Sequence, residues 1–167
     1  VYVARRTRHD REAKLDEDPY HLVLLAENET GYKNLVKLVS LSHLEGFYYR
    51  PRVDREILAA YSEGLIVLSA CLSGEIASHL LVGDKESAQK TAEWYKEVFG
   101  SKNFFLELQY QGIEGQRAVN RELLAIAKEL DLGVVATNDL HYIKREDAMV
   151  HDVLLCIQTG KTINDPD

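Results

Sequence analysis

Two hydrophobic rhythms alternate along this chain. Short apolar runs occur at 1–4 (VYVA), 20–26 (YHLVLLA), 64–70 (GLIVLSA), 103–108 (NFFLEL) and 134–137 (VVAT). Runs of that length, bounded by turn residues, read as strands, buried where they are uniformly apolar. Between them the apolar residues recur with helical spacing. Residues 28–46 place Tyr32, Leu35, Val36 and Val39 on one face and stop at Gly46. Asp54 caps a short helix through Ala60, and another opens near Ser73 and closes near Gly83. Asp84 caps the next, with Ala88, Ala92, Tyr95 and Phe99 on its apolar face. Residues 112–130 carry a stripe of Val119, Leu123, Ile126, Ala127 and Leu130, and a last helix covers 145–159 before Gly160. Two stretches have no period. Residues 5–19 are charged and polar and read as a mobile loop, and 47–53 (FYYRPRV) read as an aromatic and basic loop.

The resulting order, strand and helix in turn, predicts an α/β fold with a parallel or mostly parallel sheet and crossover helices. Four strands and a short opening one do not close a barrel. An open sheet is one solution. An incomplete (β/α) barrel fits better, because 1–4 reads as a strand with no turn before it. The 167 residues suffice for one domain or a large part of a bigger one, and an apolar content of 46% predicts a packed core. The net charge of −7 argues against a nonspecific nucleic-acid coat but leaves room for a local basic groove or a cation site. Two cysteines make no disulfide framework and suit a reducing cytosol. No apolar run approaches the roughly 18 residues of a membrane span, and the opening residues read as a strand, so no signal peptide is expected.

Candidate chemistry falls at strand ends. The strand at 134–137 runs into Asn138, Asp139 and His141. In parallel α/β proteins the C-terminal strand ends carry the chemistry. On an extended backbone Asp139 and His141 point the same way, a carboxylate and an imidazole suited to a divalent metal. The plainer reading has Asp139 capping a turn. Cys71 stands at the end of 64–70, either as a small core residue or as a thiolate ligand on the same rim. His21 opens its strand, so it reaches that rim only if 1–4 and 20–26 form a hairpin. His43, His79 and His151 read as helix packing or surface groups, His9 as solvated, and Cys156 as core. Mixed Asp, His and Cys donors without CxxC pairs point to a hydrolytic metal site rather than a structural zinc knot. Arg50 and Arg52, with Tyr48 and Tyr49, would supply phosphate and stacking contacts if their loop overhangs the site, and are a solvated connection otherwise.

The phrases YHLVLLAENETGYKNLVKLVSLSHLEGFYYRPRVD, LIVLSACLSGEIA, VVATNDLHY and AMVHDVLLCIQTGKTINDPD closely resemble the polymerase-and-histidinol-phosphatase (PHP) domain of bacterial replicative DNA polymerase III alpha subunits. The resemblance implies a distorted (β/α)7 barrel, here partial and lacking its N-terminal strands. Residues 1–160 would be the C-terminal part of the PHP domain, and 161–167 the start of the connection to the polymerase palm. It implies His21, Cys71, Asp139 and His141 as metal ligands, with Asp139 and His141 catalytic through the metal. Up to three divalent ions (Zn, Mn or Mg) would bind in the complete domain. The family's further ligands, a His-x-His pair, an Asp, a His and a Glu, would precede Val1. The implied activity is metal-dependent 3′–5′ exonuclease proofreading, with this chain alone inactive. The alternative is a silent scaffold that stabilises the polymerase and docks a separate exonuclease. DNA, the rest of the alpha subunit, a proofreading subunit and other replisome subunits are the implied partners, in the cytoplasm and away from membranes.

Overall fold

The computed structural model describes residues 1–165 and falls into two compact units, 1–137 and the segment from Asn138 onward. Of the expected exit turn, Pro166 and Asp167 lie outside the described residues.

In the first unit, the opening strands are β1 (Tyr2–Val3), β2 (Tyr20–His21) and β3 (Val23–Ala26), followed by helix α1 (Glu29–Leu44). Next come β4 (Phe47–Tyr48), β5 (Arg50–Val53), α2 (Arg55–Ala60) and β6 (Leu65–Leu68). Helices α3 (Glu75–Leu81) and α4 (Lys85–Phe99) lead to β7 (Phe104–Gln109), α5 (Gln116–Leu130) and β8 (Gly133–Thr137). The strands make two four-stranded sheets, ordered β2-β1-β5-β4 and β3-β6-β7-β8. Both are mixed. Strands β6, β7 and β8 run parallel, as crossover helices require, but β3 lies antiparallel on β6. The run at 20–26 is therefore two strands in two sheets. Its first half makes the antiparallel pair with β1 that the hairpin argument needs, with Tyr2 opposite His21.

The core forms where helix stripes meet the second sheet. Ala88, Ala92, Tyr95 and Phe99 of α4, and Val119, Leu123, Ile126 and Ala127 of α5, are buried with Leu65, Val67, Phe104 and Leu106. The Tyr95 ring stacks on Phe104 at 5.2 Å, and burial beside Glu75 pushes its phenol well above the ordinary value.

Helix α1 departs from its apolar period. Its buried positions are Gly31, Leu38 and Ser42, while Tyr32, Val36 and Val39 are exposed. The cause is close backbone approach: a Cβ on Gly31 would stand 1.7 Å from the carbonyl oxygen of Gly64. Small residues, not the largest apolar ones, set which side docks.

The two stretches without a period are ordered. Residues 47–53 form the antiparallel pair β4–β5, and β5 continues in parallel beside β1. The 5–19 loop is held by buried charge rather than left mobile. Asp16 is fully buried and accepts from Arg6 Nη2 at 2.5 Å and from the Glu12 backbone N–H at 2.8 Å. Arg8 reaches Asp54, Glu45 and Glu56 at about 3 Å, while Asp54 also caps α2 through the Ile57 N–H. Polarity alone does not make a loop mobile when its charges find partners inside the fold.

The second unit contains a 3-10 turn (Arg145–Asp147) and α6 (Ala148–Thr159), closed by Gly160 in the left-handed conformation. Cys156, expected in the core, is half-exposed, and no residue of α6 is fully buried.

Candidate metal centre

The sharpest convergence of candidate side chains lies between β2 and the turn after β6. His21 is placed by three backbone ties. Its Cα opposes Tyr2 across the sheet, its N–H donates to Ser73 O at 3.0 Å, and it makes an isolated parallel bridge to Gly74. Cys71 is placed by a tight turn. Ala70, immediately before it, has φ +64, a conformation costly for a side chain with a Cβ. The Gly74 N–H then donates to Cys71 O at 2.9 Å. Together they put Cys71 Sγ 3.6 Å from His21 Nδ1. The Tyr2 ring meets the imidazole edge-on at 5.3 Å.

That spacing can be tested against a metal. Tetrahedral zinc with bonds of about 2.3 Å to sulfur and about 2.0–2.1 Å to nitrogen holds the two donor atoms about 3.6 Å apart. The spacing of the thiol and imidazole therefore matches two positions of one divalent ion, as it also matches a thiol–imidazole hydrogen bond. Among the described residues, no group of three or more His, Cys, Asp or Glu side chains is gathered to hold one.

Asp139 and His141 lie in the second unit. The strand β8 stops at Thr137, and Asp139 has φ +50 rather than an extended backbone, so the two side chains do not alternate as in a strand. They are joined another way: His141 Nδ1 lies 2.7 Å from the Asp139 backbone carbonyl. A carbonyl only accepts, so Nδ1 carries a proton, and in the neutral ring Nε2 is the accepting nitrogen. This is the backbone-anchored tautomer commonly found in metal-ligating histidines. The ring also meets His151 edge-on at 5.7 Å. Both Asp139 and His141 are exposed.

The arginines differ from one another. Arg52 is fully buried, and its guanidinium donates to the carbonyls of Gly46, Asp16, Arg8 and Asp10 at 2.8–3.1 Å. Its donors face the backbone of the 5–19 loop and of Gly46 and not solvent, unlike the phosphate-contacting side chain expected of it. Burial pulls its pKa below that of an ordinary guanidinium. Arg50 is exposed, its guanidinium 5.8 Å from the centre of the Tyr2 ring.

Sequence reasoning passed over a polar cluster at the ends of β6, β7 and β8. Glu107 and Gln109 are both buried. Glu107 Oε1 accepts from Thr137 Oγ1 and from Gln109 Nε2, the latter at 3.0 Å. The Glu107 N–H donates to Ser69 Oγ at 2.8 Å. Glu107 Oε2 and Gln109 Oε1 are both buried and have no hydrogen-bond partner among the described residues. Glu107, Gln109 and Cys71 line one small cavity of about 10 Å³. The signal was present in NFFLEL, a carboxylate placed inside an otherwise apolar strand.

Comparison with known proteins gives the family of the chain. The family model described as PHP domain matches residues 1–111. DNA polymerase III subunit alpha of Borreliella burgdorferi is 47% identical over 166 residues, covering 99% of this chain and 14% of that protein. The DNA polymerase III subunit alpha proteins of Treponema pallidum and Thermus aquaticus are each 46% identical, over 167 and 169 residues. They cover 99% and 100% of this chain, and in both cases 14% of the relative. The chain thus spans about one seventh of the length of these relatives.

Proposed function

Since this chain belongs to the PHP domain family, in the form found in DNA polymerase III alpha subunits, we propose that it is part of a metal-dependent phosphoesterase carried by a bacterial replicative DNA polymerase. The reaction is 3′–5′ removal of mispaired nucleotides from a primer end. The meeting of Cys71 Sγ and His21 Nδ1 at 3.6 Å carries this reading. Divalent ions held by His21, Cys71, Asp139 and His141 would supply Lewis acidity toward the phosphodiester. The chain's own residues hold the donors in place. The left-handed turn at Ala70 and the Ser73 and Gly74 backbone fix the first pair, and the Asp139 carbonyl fixes the His141 tautomer. Arg50 is the exposed candidate for a phosphate contact. Residues 1–160 are then part of a PHP-type barrel whose remaining ligands come from further chain. Residues 161–167 lead toward the polymerase palm. The partners are DNA, the rest of the alpha subunit, a proofreading subunit and other replisome subunits, in the cytoplasm. No helix among the described residues is long and apolar enough to cross a membrane.

The test is Asp139→Asn in the full-length polymerase. Excision of a mispaired 3′ end is lost while DNA synthesis continues. Equal excision by both forms refutes the nuclease reading. If chelation then lowers only the melting temperature, the domain is a scaffold for the polymerase.

A further inference from the structure

The rim that carries Cys71 continues onto the next loop. Strands β6 and β7 run parallel, so their C-terminal ends lie side by side, and in parallel α/β folds those ends and the loops after them hold the substrate. After Gln109 the chain passes Tyr110 and turns into α5. The buried side chain of Gln116 shapes that turn, its Oε1 accepting from the Gln111 N–H at 2.8 Å and the Ile113 N–H at 3.3 Å. Tyr110 and the first turns of α5 then border a shallow groove of about 620 Å³, lined by Tyr110, Arg117, Asn120 and Arg121. Asn120 also lines the small cavity beside Cys71, anchored by its amide donating to Gln109 O at 2.9 Å. The groove thus adjoins the Cys71 cavity through one shared side chain.

The charge of the groove is positive. Tyr110 is 55% exposed, and the Arg117 guanidinium lies 4.9 Å from its ring centre. Arg117 Nε and Nη2 donate to Tyr110 Oη at 3.0 and 2.5 Å. That fixes the guanidinium and leaves Nη1 and the phenol proton for another acceptor. Arg121 stands one turn further along α5, a spacing of about 5–6 Å between Cβ atoms. Neither arginine has an ion-pair partner among the described residues, and Glu122, next to Arg121 in sequence, is taken by Lys85 at 2.7 Å. Two exposed, unpaired guanidinium groups beside an open aromatic ring, on a chain of net charge −7, suit an anion that also carries a flat apolar part.

We propose that Tyr110, Arg117 and Arg121 bind the single-stranded primer end on its way to the metal site, the arginines on neighbouring phosphates and the tyrosine against a base. The inference rests on the nuclease reading given above and deepens it by naming the strand-binding surface. Arginines hold phosphates without reading sequence, and an exposed ring stacks on any unpaired base. A mispaired end supplies such bases and a matched duplex end does not, so the groove favours frayed ends. An acidic protein segment would satisfy the arginines but leave the tyrosine ring without a use.

The test uses the full-length polymerase in a chelator, which prevents cleavage, with a single-stranded oligonucleotide carrying 5-iodouracil at its 3′-terminal positions. Irradiation cross-links stacked iodouracil to aromatic side chains, and mass spectrometry maps the product. The wild type cross-links at Tyr110. Arg117→Gln combined with Arg121→Gln raises the oligonucleotide concentration that half-saturates this cross-link. It also flattens the logarithmic salt dependence of that concentration by about 1.4, roughly 0.7 for each lost phosphate contact. Arg121→Gln alone, which breaks no contact within the chain, gives about half that change and guards against a folding defect in the double variant. A wild type without a Tyr110 cross-link, or variants with the wild-type half-saturation and salt slope, overturns the strand groove. Excision of a mispaired end with metal restored separates the two readings. A Tyr110 cross-link without excision overturns the nuclease reading and leaves the strand groove standing, and excision without the cross-link does the reverse.

Discussion

Arg52 decides whether the 47–53 segment serves substrate or structure, and replacing it with Met separates the two. The methionine fills much of the stem's volume and removes the guanidinium. Four hydrogen bonds of 2.8–3.1 Å disappear, and the carbonyls of Gly46, Asp16, Arg8 and Asp10 lose a charged donor. A hydrogen bond to a charged group contributes about 1.5–3 kcal/mol net. Simple addition would overshoot, because water reaches some of the freed carbonyls and the desolvation of the buried charge is recovered. We expect a loss of about 3–5 kcal/mol, the range for breaking one side of a buried charged network. At about 2–4 °C per kcal/mol for a chain of this size, thermal unfolding shifts down by roughly 10 °C. Hydrogen exchange in the 5–19 loop rises in parallel, while Arg50→Ala leaves both observables nearly unchanged. A Met variant within about 1 kcal/mol of wild type that has lost DNA affinity instead would refute the structural role and return Arg52 to the phosphate contacts.

Two further outcomes follow from the same packing. The hydrogen bond from Arg6, helped by the nearby guanidinium charges, holds the Asp16 carboxyl below the ordinary carboxylate range, so its stabilisation is present above the unfolded value of about 3.9. It is lost as pH falls through the lower folded value. Asp16→Asn therefore lowers the melting temperature most near pH 7, with the gap to wild type closing below about pH 4, and a gap independent of pH contradicts this. Gly31→Ala drives a methyl into the Gly64 carbonyl, so it destabilises by about 1–3 kcal/mol. The usual gain from replacing a helical glycine by alanine would contradict the close approach.

Strong periodicity was legible because packing obeyed it. The stripes of α4 and α5 and the strands β6, β7 and β8 lie where their sequences place them. Misreadings arose where a pair of contacts outweighed local pattern. Tyr32, Val36 and Val39 promised the buried side of α1, but the contact of Gly31 with Gly64 turned it elsewhere. The charges of 5–19 looked solvated because their partners, Asp54 and Arg52, are about forty residues away. For the site, the sequence placed His21 only conditionally, through a hairpin that β1 and β2 do form, and left Cys71 open between a core residue and a ligand. The link between Asp139 and His141 depends on a left-handed residue that no alternation rule anticipates. Glu107 escaped notice because one carboxylate in an apolar strand reads as an edge residue until its burial is seen.

The most direct test of the central claim is the visible absorption spectrum of the full-length protein loaded with Co²⁺ in place of its native ions. The account predicts a sulfur-to-cobalt charge-transfer band in the wild type, because Cys71 Sγ stands 3.6 Å from His21 Nδ1, and its loss in Cys71→Ser. A wild-type spectrum without that band, or one unchanged by the substitution, would contradict a metal at His21 and Cys71.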